Sequence, residues 1–326
     1  MFVKYSDDCI RLEGRWAKFE DKAVTTTTGS RIFLKFEGDM ALLKFDLTGD
    51  TGEHAHIWIS IDSENMAEAT LGSALRIKTA AYGVHTVRII YKSQIETRNR
   101  WKEPLEQKLA FLGAEIEKPV TIEADTRKTI EFVGDSITEG VLTDANADPE
   151  RLPEENTEFR VYQDDVCATY GWQTAEKLNL SPIIMGYGAV GTIKGGNGNV
   201  PCAAEAYPYN FDGNPICHQN ADYIVINHGA NDASAPAEDY IAGYEKLLDV
   251  IRKLNPNAKI FALSAFCGAH AEALGKFINE YNEKKGENIT FIDSTGWIPK
   301  EPLHPLRGGH EIVAENLSRA LKEYIK

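Results

Sequence analysis

Glu131-Phe-Val-Gly-Asp-Ser-Ile-Thr-Glu-Gly140 carries an apolar strand straight into Gly134-Asp135-Ser136. A serine placed where a strand breaks at glycine, with helix-compatible residues after it, is held out of the sheet at a sharp turn. There its hydroxyl can meet a substrate instead of packing into a core. Open α/β sheets bind ligands at the carboxyl ends of their strands, which is where Ser136 falls. An Asp-Ser after a strand often does no more than cap the next helix. A second signal, far along the chain, decides between the two readings.

That signal is Glu301-Pro-Leu-His304-Pro305, ahead of a closing helix read over Arg307 to Ile325. A hydroxyl is a poor nucleophile until a base takes its proton, and histidine has a suitable pKa near neutrality. Glu301, three residues before the histidine, can bond the second ring nitrogen and set the tautomer. A backbone carbonyl can do the same, and the sequence leaves both open.

Around these two segments the chain alternates strands with amphipathic helices. Ile130–Val133, Pro182–Met185, Tyr223–Asn227, Ile260–Ser264 and Ile289–Ile292 read as five strands, with helices over Asp239–Leu254 and Ala271–Lys285. That pattern predicts a parallel sheet covered on both faces. His228-Gly-Ala-Asn231-Asp232 follows the third strand, so the Asn231 amide can face a charge developing beside Ser136. From about Arg31 to Ile116 the pattern is instead short β runs, among them Arg31–Phe36, Ala41–Leu47, His56–Ile61 and Val84–Tyr91, separated by Gly, Asp and Ser clusters. These predict a sandwich. The change of pattern near Glu123 to Lys128 divides the chain into 1–125 and 126–326.

Gly134-Asp-Ser136-Ile-Thr138, Gly188-Ala-Val-Gly191, His228-Gly-Ala-Asn231-Asp232 and Glu301-x-x-His304-Pro305 resemble, in order, the four blocks of the SGNH (GDSL) hydrolases. The resemblance runs from about Lys128 to the C-terminus. It implies a flavodoxin-like, doubly wound five-stranded sheet, Ser136 as nucleophile and His304 as general base. It also implies an oxyanion hole from the Ser136 N–H, the N–H of Gly188 or Gly191, and the Asn231 amide. Glu301 stands where the family has aspartate. With a smaller, jelly-roll-like β-sandwich in front, the chain is most similar to carbohydrate esterase family 2, whose members remove acetyl groups from plant-polysaccharide sugars.

Composition narrows the partners. With 35 basic against 49 acidic residues the net charge is -14. Such a field repels phosphate backbones and anionic lipid heads, so nucleic acid and membranes are poor partners and neutral sugars better ones. No apolar run resembles a signal peptide or approaches a membrane span. Five cysteines, an odd number without metal-ligand spacing, read as reduced thiols of a cytoplasmic protein. His54-Ala-His56 lacks a third ligand nearby and reads as an exposed strand.

The long loop from Ala189 to Asn220 reads as a pocket wall. Asp135, Tyr207 in that loop, and Trp297 before the histidine are the expected substrate contacts. The expectation is an acyl-enzyme O-acetylesterase acting on a small acetylated sugar or oligosaccharide such as a xylo-oligosaccharide, without metal or other cofactor. A lysophospholipase or thioesterase, and a carbohydrate-binding protein with a decayed hydrolase half, are the alternatives. Whether the chain forms a homo-oligomer is left open.

Overall fold

Two sheets of opposite character meet along the chain. The computed structural model describes residues 1–145, 160–216 and 221–325. The first sheet has nine antiparallel strands: β1 (Phe2–Lys4), β2 (Ile10–Glu13), β3 (Ala17–Lys18), β4 (Ala23–Thr25), β5 (Arg31–Phe45), β6 (His56–Ile61), β7 (Ala67–Thr70), β8 (Ala74–Ser93) and β9 (Leu109–Pro119). Every second side chain of β5 is buried, with Leu34, Phe36, Leu43 and Phe45 meeting Ile57, Ile89 and Phe111 in one cluster. This is the two-residue period of a half-buried strand. The sheet thus wraps a core of its own, as the sandwich reading requires.

Glu37-Gly-Asp, read as a break between two strands, is instead a register shift inside one 15-residue strand. The ladder to β8 resumes at Met40 opposite Lys78. A bulge of this kind bends a strand without ending it. His56 is buried in β6 and its ring meets Glu68 and Thr70, so His54-Ala-His56 is not an exposed strand.

The second sheet is parallel and ordered β11-β10-β14-β15-β16, with β10 (Thr129–Gly134), β11 (Ser181–Gly186), β14 (Tyr223–Asn227), β15 (Lys259–Leu263) and β16 (Thr290–Ile292). Between them in sequence lies a small hairpin, β12 (Tyr209–Phe211) and β13 (Asn214–Pro215). The spatial order is that of a flavodoxin-like doubly wound sheet. Its three central-to-edge strands β11, β10 and β14 are almost wholly buried, as strands covered on both faces must be.

Seven helices complete the described chain: α1 (Ser136–Glu139), α2 (Arg160–Gln163), α3 (Tyr170–Lys177), α4 (Ala203–Ala206), α5 (Ala237–Leu254), α6 (Ala271–Lys285) and α7 (Arg307–Leu321). Helices α3 and α7 cover one face through Trp172, Ala175, Val313 and Leu317. Helices α5 and α6 cover the other through Tyr244, Leu247, Leu274 and Ile278. None is long and apolar enough to cross a membrane.

The two sheets share buried charge as well as core. Arg15 Nε and Nη2 donate to Glu131 Oε1 on β10, at 3.0 and 2.8 Å. Arg100, between β8 and β9, forks onto both oxygens of Glu139 at the end of α1. Both arginines are fully buried, so each clamp ties the first sheet to the strand or helix that flanks Ser136.

Candidate active site

Strand β10 ends at Gly134, where a Cβ would fall 2.0 Å from Thr138 Oγ1 and 2.9 Å from Asn227 O. Only glycine lets α1 fold back so tightly on its own strand. Asp135 caps the helix, its Oδ1 accepting from the Ile137 N–H at 3.0 Å. Ser136 is therefore the first helical residue, at the carboxyl edge of β10. His304, on the loop before α7, brings its Nε2 to 2.9 Å from Ser136 Oγ. The two residues are 168 positions apart, and the distance is that of a nucleophile and its base.

They open on a cavity of about 100 Å³ whose walls include Ile137, Ala189, Asn197, Ala230, Asn231 and Leu303. Glu96 of the first sheet's loop lines it too. A larger cavity of about 430 Å³ opens beside Trp16, Ile183 and Asn214, and no nucleophile and base meet there.

The charge around the imidazole favours its neutral form. Burial, and then the Arg160 guanidinium, lower the His304 pKa from 6.5 to about 4, against an opposing pull from Glu139. A neutral Nε2 can accept the serine proton. Burial, opposed by the Ile137 N–H, pushes the Asp135 carboxyl up to about 7. Among the residues that line the cavity, Ser136 and Ala189 have backbone N–H groups with no acceptor among the described residues, as Ala230 and Asn231 also do. Ala189 holds a positive φ of 61°.

The pattern of the GDSL-like Lipase/Acylhydrolase family matches residues 132–312, more than half of the chain and all of the site elements from β10 to His304. The chain belongs to this family. Its whole fold is similar to that of a family two carbohydrate esterase from Cellvibrio japonicus, with a TM-score of 0.82 at 18% identity over 100% of this chain and 98% of that one. It is also similar to the Clostridium thermocellum family two carbohydrate esterase solved with cellohexaose (TM-score 0.78, 20% identity, 97% and 98% covered). A third likeness is to the acetyl xylan esterase Est2A of the rumen bacterium Butyrivibrio proteoclasticus (0.80, 17%, 99% and 98%). No curated protein matches the chain in sequence.

Several residues expected at this acylhydrolase site stand elsewhere or do other work. The Gly188 N–H donates to Glu139 Oε2 at 2.8 Å and the Gly191 N–H to Lys194 O at 3.0 Å, so neither glycine has an N–H to offer. Ala189 between them has an N–H without an acceptor among the described residues, in a backbone conformation alanine rarely holds. Asn231 lies in the cavity wall, but its Nδ2 already donates to Val190 O (3.1 Å) and Asp135 Oδ2 (3.3 Å). Stabilising an oxyanion would require sharing one of those hydrogens. Asp135 lines the cavity but is only 2% exposed, its oxygens accepting from the Ile137 N–H and Asn231 Nδ2.

Tyr207 is fully buried, its hydroxyl donating to Glu131 Oε2 at 2.6 Å, away from the serine cavity. Trp297 packs against the core under α7 and does not line the cavity. Of the described residues of the long loop, only Ala189 and Asn197 line the cavity. Cys217 to Asn220, its last residues, lie outside the described residues. The other four cysteines are unpaired.

Glu301 is the plainest correction. It is exposed, and no hydrogen bond or ion pair within 4.0 Å joins it to His304. No backbone carbonyl takes its place among the described residues, so the one hydrogen bond of His304 is to Ser136 Oγ. The long glutamate finds water more favourable than a partly buried ring. Glu301→Gln is therefore expected to lower kcat/KM less than about tenfold. Steady-state kinetics on p-nitrophenyl acetate decide this. A loss near 10⁴, the size seen when an orienting carboxylate is neutralised, would restore Glu301 to the site.

Proposed function

We propose that the protein is a serine esterase that removes O-acetyl groups from carbohydrates through an acyl-enzyme. The observation that carries this reading is the 2.9 Å contact between Ser136 Oγ and His304 Nε2 beside two unused N–H groups. His304 takes the hydroxyl proton as Ser136 Oγ attacks the acetyl carbonyl. The oxyanion is received by the Ser136 and Ala189 N–H groups, with Asn231 at its side. Collapse of the tetrahedral adduct expels the sugar oxygen, which takes the proton from His304 Nε2. Water, deprotonated by the same nitrogen, then frees acetate and the serine.

Small size supports acetyl as the acyl group. The cavity of about 100 Å³ is well below the roughly 300–1,000 Å³ of pockets that hold drug-sized ligands. The likeness of the whole chain to acetyl xylan and other family two carbohydrate esterases supports a sugar as the leaving group. The acidic net charge of -14 favours a neutral substrate over an anionic one. In this reading residues 126–326 carry the chemistry and residues 1–125 support it. The substrate is an acetylated oligosaccharide in the cytoplasm, which cell fractionation tests.

Rates on acetyl, butyryl and octanoyl esters test the acyl assignment. Acetyl is expected to exceed octanoyl by at least about 100-fold in kcat/KM, because a cavity of about 100 Å³ has no room for the extra methylenes. Preference for octanoyl would move the protein to the lipase or thioesterase class.

A further inference from the structure

The first sheet reaches into the site through one loop, from Gln94 to Arg100, which follows β8. Arg100 Nη2 donates to Glu139 Oε2 at 2.9 Å, and its Nη1 holds the other carboxylate oxygen. Gln94 Nε2 also donates to Glu139 Oε1, at 3.4 Å. Glu139 Oε2 in turn accepts the Gly188 N–H at 2.8 Å. Gly188 is bonded through its peptide to Ala189, which lines the cavity and whose N–H has no acceptor among the described residues. From the same loop, Glu96 stands so close that a Cβ on Gly188 would fall 1.7 Å from its Oε2.

We infer that this loop is a positioning element of the esterase site, with Arg100 holding the Ala189 N–H in place through Glu139 and the Gly188 N–H. The inference rests on the esterase reading above and adds a role for the first sheet. A peptide at positive φ, as at Ala189, is costly for a residue with a Cβ and persists only where its surroundings hold it. A charge-assisted bond from a buried carboxylate is a strong way to hold it. Glu139 can do so because Arg100 neutralises it and occupies its remaining lone pairs. A gain from a preorganised donor appears in the transition state, where the carbonyl oxygen becomes charged, and hardly at all in ground-state binding.

The experiment is kinetic and uses the full chain. Glu139→Gln keeps the shape but puts an NH2 where either Arg100 or Gly188 now donates. Arg100→Lys keeps the charge and loses the fork. Rates on p-nitrophenyl acetate are expressed per serine titrated with a p-nitrophenyl methylphosphonate, so that partial unfolding does not count. Both variants are expected to lose about tenfold or more in kcat with KM within about twofold, and to react with the phosphonate more slowly by a similar factor.

If kcat per titrated serine stays within twofold of wild type in both, the inference is overturned while the esterase reading stands. If the wild type itself does not turn over acetyl esters, the esterase reading falls and takes the inference with it. Should neither variant fold, hydrogen exchange at the wild-type Gly188 amide decides. Protection comparable to that of the β10 amides upholds the clamp, and exchange at the rate of an open loop overturns it.

Discussion

Ser136→Ala and His304→Ala are each expected to lower esterase turnover by about 10⁶, the scale on which losing either member of a nucleophile–base pair is felt. The double variant loses little more than either single one, because an unactivated hydroxyl and a base with nothing to deprotonate are equally idle. Both variants are expected to keep the wild-type unfolding free energy to within about 1 kcal/mol. Each side chain faces the cavity, so truncation leaves no void in either core. Circular dichroism and a denaturant titration check the fold, and p-nitrophenyl acetate checks the rate. Substantial turnover by Ser136→Ala would sink the assignment of the nucleophile.

The same pair sets the acid limb of the pH profile. His304 must be neutral to accept a proton, and burial with Arg160 nearby lowers its pKa to about 4. The neutral form then persists well below the usual 6.5. In wild type, kcat/KM is expected to hold down to about pH 5 and to fall through about 4 as the ring protonates. A limb at 6.5 would mean that the ring is charged far more easily than its surroundings allow.

The second large effect is on stability. Arg15→Ala is expected to destabilise the protein by about 3–5 kcal/mol, since it strands the Glu131 carboxylate in the core without its cation. Arg15 is 1% exposed and Glu131 0%. Besides its two bonds to Glu131, the guanidinium donates to Tyr207 O at 2.8 Å and stands 4.7 Å over the Tyr207 ring. Only the hydroxyl of Tyr207 would remain to Glu131. Replacing both charges, as Arg15→Leu with Glu131→Leu, should recover much of the loss, because an apolar pair escapes the desolvation that a buried ion pair must offset. Activity per titrated serine should change little, since the clamp lies toward the opposite end of β10 from Ser136. A loss under about 1 kcal/mol in Arg15→Ala would show that the clamp between the sheets is not what holds this strand.

These expectations come from different levels of the chain. The five parallel strands and helices α5, α6 and α7 were legible within a few residues, because a buried strand and an amphipathic helix each impose a period on their own residues. Helix α3, over Tyr170–Lys177, was not picked out. It spans barely two turns, too short for a period to stand out. The 15-residue β5 read as two strands because Gly38 looks the same in a turn and in a bulge. The segments that hold Ser136, His304 and Asn231 stand out in the sequence because each is short and has its own turn chemistry, and the structure brings the three to one cavity. Glu301 was misjudged for the opposite reason. Three residues from His304 along the chain, it lies on a loop whose direction is set by contacts outside the segment.

What the sequence by itself determined is the run of elements, the serine at a strand's carboxyl edge and the acidic surface, all consequences of local sterics, periodicity and composition. The tertiary structure alone decided which N–H groups remain free. Gly188 and Gly191 have theirs taken by Glu139 and Lys194, and Ala189 keeps its own. It alone, too, turned Tyr207 into a core hydroxyl on Glu131 and brought Arg100 of the first sheet to Glu139 and Glu96 to Gly188. A donor's partner lies wherever folding brings an acceptor, 49 residues away for Gly188 and 76 for Tyr207. Local pattern carries no record of that meeting, because it depends on how segments distant along the chain pack together.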